Sequence, residues 1–282
     1  MFQPDLLRDK RILITGGGTG LGRGMAERFL ELGATVYICG RRHDVLEATR
    51  AELDAKFPGR IHSTVCDVRQ LPVVEEMIET IWSHGPLDIV VNNAAGNFLA
   101  RTEDLSAGAF EAVIGIVLMG TVNVTMAAGR RWLRAAHAGT VLNIAATYWH
   151  TGSAYVVPSA MAKAGVVALT RSLAVEWGNR NIRMNAIAPG PVPTEGAFSR
   201  VLPIADLEKV ALTRNPLGRF GTIAELANLA AFLVSDFSGY INGEVVTMDG
   251  GEWLQGAGEF GDVGRLVTEE QWQSIKPKKK SK

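Results

Sequence analysis

Short apolar runs alternate with longer amphipathic ones along most of this chain. "RILIT" (11–15), "TVYIC" (35–39), "IHSTVCDV" (61–68) and "LDIVVNNAAG" (87–96) read as strands. Between them lie the helix-like stretches "LGRGMAERFLELG" (21–33), "DVLEATRAELDAKF" (44–57) and "LPVVEEMIETIWSHG" (71–85). The second half repeats the theme: strands "GTVLNIAA" (139–146), "IRMNAIAPG" (182–190) and "GEVVTMDGG" (243–251), helices "SAMAKAGVVALTRSLAVEWG" (159–178) and "TIAELANLAAFLVSD" (222–236). The strand runs are mostly apolar rather than alternating, as strands covered on both faces are. The pattern therefore predicts an α/β fold: a single Rossmann-like, doubly wound parallel sheet with helices on both faces. No linker, repeat or low-complexity block divides it, so one domain over 1–282 is expected. Two stretches stand outside the series: an insertion at about 190–218 and a C-terminal extension at 252–282. Insertions beyond strand C-termini are where such sheets bind ligands.

Charge adds little. Lys+Arg and Asp+Glu both number 29, so the net charge is zero and no global field favours nucleic acid or an anionic membrane. The first strand opens within about a dozen residues, before which no signal or transit peptide is read, and no apolar run approaches the ~20 residues of a membrane span. Cys39 and Cys66 each end an apolar run and read as buried thiols rather than a disulfide or metal site. The expectation is a cytoplasmic protein without metal. The terminal "KPKKKSK" reads as a solvated tail, and it is not the S-K-L peroxisomal address.

The first strand–helix junction, "TGGGTGLG" (15–22), carries the first chemistry. Gly16, Gly20 and Gly22 permit a tight turn and close backbone approach, and the helix start offers free N–H groups to a pyrophosphate. The spacing is G-x-x-x-G-x-G, not the commoner G-x-G-x-x-G. At the end of the second strand, "ICGRR" puts Arg41 and Arg42 where a carboxylate would hold a ribose 2′-hydroxyl. Paired guanidinium donors suit a 2′-phosphate, so NADPH is expected over NADH. Asp67, ending the third strand, is placed to accept from an adenine amino group. "NNAAG" (92–96) ends the fourth strand beside the cofactor.

"TGGGTGLG", "NNAAG", "AKAG" and "NAIAPGPVPT" together resemble the short-chain dehydrogenase/reductase family over nearly the whole chain. The resemblance implies cofactor contacts from Gly16, Gly18, Thr19, Gly20, Leu21 and Gly22, from Asn93 and Ala94, and from Pro189, Gly190, Val192 and Thr194. It also implies that Lys163 binds the nicotinamide ribose. The family's usual asparagine, serine, tyrosine and lysine fall here on Val117, Ala146, Ser159 and Lys163, so only the lysine remains. An aliphatic hydroxyl is a far weaker acid than a phenol of pKa about 10, so Ser159 cannot take over general acid catalysis.

Two phenols lie nearby, Tyr148 and Tyr155, both in the segment joining the fifth strand to the Lys163 helix. Chemistry alone leaves them equal. The stretch 144–200 resembles one branch of the family, the NADPH-dependent 2,4-dienoyl-CoA reductases, which also carries serine in place of the helix tyrosine. That branch has its tyrosine 15 residues before the lysine, the spacing of Tyr148 from Lys163. It uses the last asparagine of "NNAAGN" with the tyrosine on the substrate thioester oxygen, which falls on Asn97. Tyr148, Asn97 and Lys163 are thereby the expected catalytic set, with Arg69, Phe98, Ser106, Ser159 and Arg200 toward the acyl-CoA. Trp149 and His150, in a stretch where this chain departs from the branch, would alter acyl-chain fit; His150 has no paired carboxylate in view and is not assigned to catalysis. A homotetramer is implied by the family, and "INGEVVTMDGG" is apolar enough to pair with a symmetry mate. The expected reaction is reduction of 2,4-dienoyl-CoA to 3-enoyl-CoA in unsaturated fatty acid breakdown. Two alternatives stand beside it: a 2-enoyl- or 3-oxoacyl-thioester reductase, and a catalytically inactive NADP(H)-binding regulatory protein.

Overall fold

The computed structural model describes residues 3–194 and 205–257, together with 268, 270 and 271. Seven strands, all parallel, form one sheet: β1 Arg11–Thr15, β2 Thr35–Gly40, β3 Ile61–Val65, β4 Ile89–Asn92, β5 Gly139–Ile144, β6 Ile182–Pro189 and β7 Val245–Met248. Their order is β3-β2-β1-β4-β5-β6-β7. Strand order reverses between β1 and β4, and the crevice beyond the C-terminal ends of those two strands is where such a sheet takes its ligand. The "TGGG" turn after β1 and Asn93 after β4 flank that crevice.

Alternate side chains point to opposite faces. On one face Ile12, Ile14, Val36 and Ile38 pack under α1 (Gly20–Glu31), α2 (His43–Lys56) and a later helix, Ile223–Val234. On the other, Leu13, Tyr37, Cys39, Val90 and Val141 meet α3 (Leu71–Ser83) and the helices of the 107–177 region. Both cysteines are free and buried, as their apolar settings predicted.

The segment between β4 and β5, which the apolar pattern left unassigned, is helical: α4 (Ala107–Ile114), a π-wound turn at Gly115–Met119, and α5 (Gly120–Ala135). Val, Ile, Thr and Gly crowd this stretch and blur the 3.6-residue period. Contrary to the expectation of no such segment, Ala107–Ala135 is long and apolar enough by composition to cross a membrane. Half of its apolar window is buried inside the protein, as befits a core helix. The helix α6 (Val157–Trp177) follows β5, α7 (Ala205–Arg214) lies in the insertion, α8 is Ile223–Val234, and α9 (Glu252–Ala257) opens the C-terminal extension.

Candidate active site

The glycine turn is built as a cradle. Gly16 and Gly20 have φ of +66° and +55°, which favour glycine, and a methyl group at Gly22 would lie 2.3 Å from the Gly16 carbonyl oxygen. The turn is locked from behind by the buried Thr49, whose hydroxyl donates to Gly18 O at 2.8 Å. It is locked to β4 as well: Asn93 Nδ2 donates to Thr15 O at 2.9 Å and to Gly16 O at 3.2 Å. Thr15 Oγ1 in turn accepts from the backbone N–H of Asn93 (3.0 Å) and of Ala94 (2.9 Å). Thr19 is exposed and Leu21 half-buried at the start of α1, whose first N–H groups open into the crevice.

From the far side, the β6 end contributes Pro189, Gly190, Val192 and Thr194. Gly190 N donates to Met248 O at 3.0 Å, and Thr194 lies beside Gly20, its Cβ 3.4 Å from where a Gly20 methyl would sit. Arg41 and Arg42 are exposed just past β2, beside the glycine turn. The close backbone approach, the open helix start and the two cations fit a dinucleotide. Among the described residues no group of three or more His, Cys, Asp or Glu is arranged to hold a metal ion.

Beyond β5, a 3₁₀ turn at Thr147–Trp149 presents Tyr148, and the first turn of α6 presents Ser159. Tyr148 Oη lies 3.0 Å from Ser159 Oγ and 3.5 Å from Asn97 Nδ2. The Asn97 amide is oriented by its neighbour: its Oδ1 accepts from Phe98 N at 2.9 Å, which turns the NH₂ toward the phenol. Burial raises the Tyr148 pKa, outweighing the Ser159 contact, which acts the other way. The phenol is therefore held protonated at neutral pH. Lys163 is buried one turn along α6, and its ammonium donates to Ile144 O at the end of β5. Burial lowers its pKa to about 8. Tyr155 does not join this group: it is 58 % exposed, has φ +64°, and its carbonyl accepts from Ala100 N at 3.0 Å. Geometry thus separates two phenols that chemistry alone had left equal.

Val117 lies in the π-wound turn, buried with Val113, Ala162 and Val166, and Phe98 packs against this cluster. Ala146 is also buried. Both positions are apolar, so proton chemistry concentrates on Tyr148, Ser159, Asn97 and Lys163.

The more distant residues are placed less simply. Arg69 Nε lies 2.9 and 3.0 Å from the two Asp67 oxygens, and its terminal nitrogen lies 2.5 Å from Oδ2. This contact holds the Asp67 carboxyl below its usual range. The residue expected at adenine and the one expected at the acyl-CoA are therefore partners of each other. Ser106 is the N-cap of α4, accepting from Ala109 N at 3.3 Å. Arg200 lies outside the described residues.

A family model described as Enoyl-(Acyl carrier protein) reductase matches residues 16–252. A Bacillus anthracis crystal structure of a short chain dehydrogenase superposes with TM-score 0.79 at 44% identity, covering 86% of this chain and 96% of that one. The chain belongs to the short-chain dehydrogenase/reductase family. A second crystal structure, of an Agrobacterium tumefaciens dehydrogenase with bound NADP, superposes at TM-score 0.81 with 31% identity, covering 90% of this chain and 99% of that one. Short-chain enzymes work with a nicotinamide cofactor, and the cradle described above suits one. A Bacillus subtilis relative named "Probable 2,4-dienoyl-CoA reductase", (2E)-enoyl-CoA-producing, is 46% identical over 88% of this chain and 98% of its own. A Caenorhabditis elegans relative named "Probable 2,4-dienoyl-CoA reductase 3", (3E)-enoyl-CoA-producing, is 41% identical over 87% and 81%.

The motif reading missed three groups in this short-chain site: the hydroxyls of Thr15 and Thr49 and the Ile144 carbonyl. Thr15 was within the quoted glycine motif, where its strand-end position was the available signal. Nothing local in the sequence marks Thr49 or a backbone carbonyl.

Proposed function

We propose that this chain is an NADPH-dependent reductase of 2,4-dienoyl-CoA thioesters. The observation that carries the reading is the meeting of Tyr148 Oη with Ser159 Oγ and Asn97 Nδ2, off the lysine helix yet beside it. When bound, the nicotinamide supplies a hydride to C5 of the conjugated acyl group. Negative charge then collects at the thioester oxygen, far from the carbon attacked, so the donors belong away from the usual tyrosine position. Tyr148 and Asn97 converge as two such donors, and preorganised donors of this kind supply much of an enzyme's rate enhancement. With the Ser159 hydroxyl as donor in its contact with the phenol oxygen, the phenolic proton is left for the substrate. Lys163, one ammonium donor spent on Ile144 O, keeps others for the nicotinamide ribose. Arg41 and Arg42 take the 2′-phosphate, which supports NADPH over NADH.

Protonation of the resulting dienolate at C2 gives a 3-enoyl-CoA, and protonation at C4 gives a 2-enoyl-CoA. The products in the names of the two relatives divide in the same way. We favour the 3-enoyl product. The resemblance assigns Phe98 to the acyl group and Ser106, Arg69 and Arg200 to the CoA, of which Arg69 is paired with Asp67 here and Arg200 lies outside the described residues. The exposed Met161 and Val175 on α6 support burial against another copy, in a homotetramer, and the two free thiols support a cytoplasmic setting.

The test is NADPH oxidation with 2,4-hexadienoyl- and 2,4-decadienoyl-CoA beside crotonyl- and acetoacetyl-CoA, using deuterated cofactor and, separately, D₂O. Cofactor label at C5 with solvent label at C2 supports the reading. Cofactor label at C3 of crotonyl- or acetoacetyl-CoA, with the dienoyl thioesters untouched, overturns it in favour of an enoyl or oxoacyl reductase. No oxidation with any thioester despite tight NADPH binding leaves a binding protein.

A further inference from the structure

The turn that presents Tyr148 is short, and its backbone is held by Trp149 N to Ala146 O and Gly152 N to Tyr148 O, each at 3.0 Å. Side chains just past Tyr148 add a second kind of support. Trp149 packs on Ala145, Val167, Ala186, Ala188 and Val245, and the Arg171 guanidinium lies 4.8 Å from its ring centre. The His150 ring meets Trp149 at 5.3 Å and Trp253 at 5.5 Å, with interplanar angles of 84° and 74°. Both are edge-on contacts within the favourable range for aromatic pairs. Trp253 belongs to α9, more than a hundred residues away in the chain.

That helix is itself anchored. Asp249 Oδ2 accepts from Trp253 N at 2.8 Å, and the Asp249 carbonyl accepts from Asn215 Nδ2 at 2.9 Å. Asn215 follows α7 directly and is buried. A run of contacts therefore leads from the end of α7, through Asp249 and Trp253, to the residue two positions past the phenol.

We propose that His150 and Trp253 are positioning residues for Tyr148. The imidazole between two indoles ties the turn to α9 and keeps the phenol beside Ser159 and Asn97. Neither ring is hydrogen-bonded into that cluster among the described residues, and the support is one of shape, so a different aromatic ring at 150 should serve. The role rests on the dienoyl-CoA reductase reading for its rate consequence, but not for its structural one.

The test uses the full chain with His150→Phe, His150→Ala, Trp253→Ala and the double alanine variant. Two quantities are measured: steady-state kinetics with a 2,4-dienoyl-CoA, and hydrogen exchange at the Trp149 and Gly152 amides. Each alanine variant should lower kcat roughly threefold to tenfold, as loss of an aromatic contact implies, with KM values little changed. Exchange at both amides should quicken. His150→Phe should restore rate and protection together, and the double variant should be no worse than either single one. The proposal is overturned if His150→Phe fails like His150→Ala, if the two losses multiply, if only KM moves, or if exchange is unchanged. A chain that reduces no dienoyl thioester but shows the exchange pattern supports the brace and refutes the substrate.

Discussion

Tyr148→Phe isolates the proposed acid with little collateral change. The ring stays, so packing volume is conserved, and only the hydroxyl 3.0 Å from Ser159 Oγ is lost. Ser159 is 2 % exposed and gives up one hydrogen bond, which costs about 1 kcal/mol of stability. The transition state gives up a donor to its oxyanion, and removing one such donor typically lowers kcat about 10²- to 10³-fold, or about 3–4 kcal/mol. Because the stability cost is small and the phenol is not in the nucleotide cradle, NADPH affinity should change little. The pH profile follows from the same environment. Burial raises the Tyr148 pKa above 10.0, so the phenol keeps its proton at neutral pH and the rate it supports falls only as pH rises through that raised value. Cofactor oxidation with 2,4-hexadienoyl-CoA, measured from neutral pH upward, and fluorescence titration with NADPH give both quantities. If Tyr148→Phe retains more than about a tenth of wild-type turnover, or if Tyr155→Phe is the more damaging change, the placement of the acid is refuted.

Ser159→Ala keeps the phenolic donor and should cost less than about tenfold in kcat; a loss equal to that of Tyr148→Phe would make the serine hydroxyl the essential donor. Lys163 should leave a signature in cofactor-free stability. Its pKa falls from 10.5 to about 8 on folding, so between those values the unfolded chain binds the extra proton. Stability therefore rises with pH across that window, by up to about 3 kcal/mol. Urea unfolding of the wild type should show this rise relative to Lys163→Met; a constant difference between the two would refute the buried-ammonium account. Replacing both Arg41 and Arg42 with alanine should raise KM for NADPH by roughly ten- to a hundredfold and leave NADH use nearly unchanged, and equal loss with both cofactors would place the arginines elsewhere. Gly22→Ala drives a methyl to 2.3 Å from Gly16 O and should weaken cofactor binding and lower stability by about 1–3 kcal/mol. Unchanged calorimetric binding and melting would show that the turn yields freely.

The parallel strands were legible because a strand covered on both faces has no polar side to disguise it, and Ile12 to Ile14 or Val36 to Cys39 are apolar without interruption. The helix at 107–135 was not, because β-branched residues and glycines fill it and because the π-wound turn at Gly115–Met119 breaks the helical period. In the site, the resemblance to the dienoyl-CoA reductase branch led to Tyr148, but only three-dimensional placement showed why Tyr155 is excluded. The Asp67–Arg69 pair was hidden for a different reason. Each residue was read for a ligand, and their mutual attraction depends on a turn that composition does not disclose.

The proposed acid stands on a 3₁₀ turn, whereas the lysine stands on α6. When a phenol and an ammonium occupy successive turns of one helix, any shift that retunes one drags the other, and a single rigid body sets both reach and cofactor grip. Here the two can be adjusted apart. Changes in residues 147–156 would move the proton donor along the acyl chain while α6 holds its register, so selectivity for where negative charge accumulates could drift over generations without loss of nucleotide affinity.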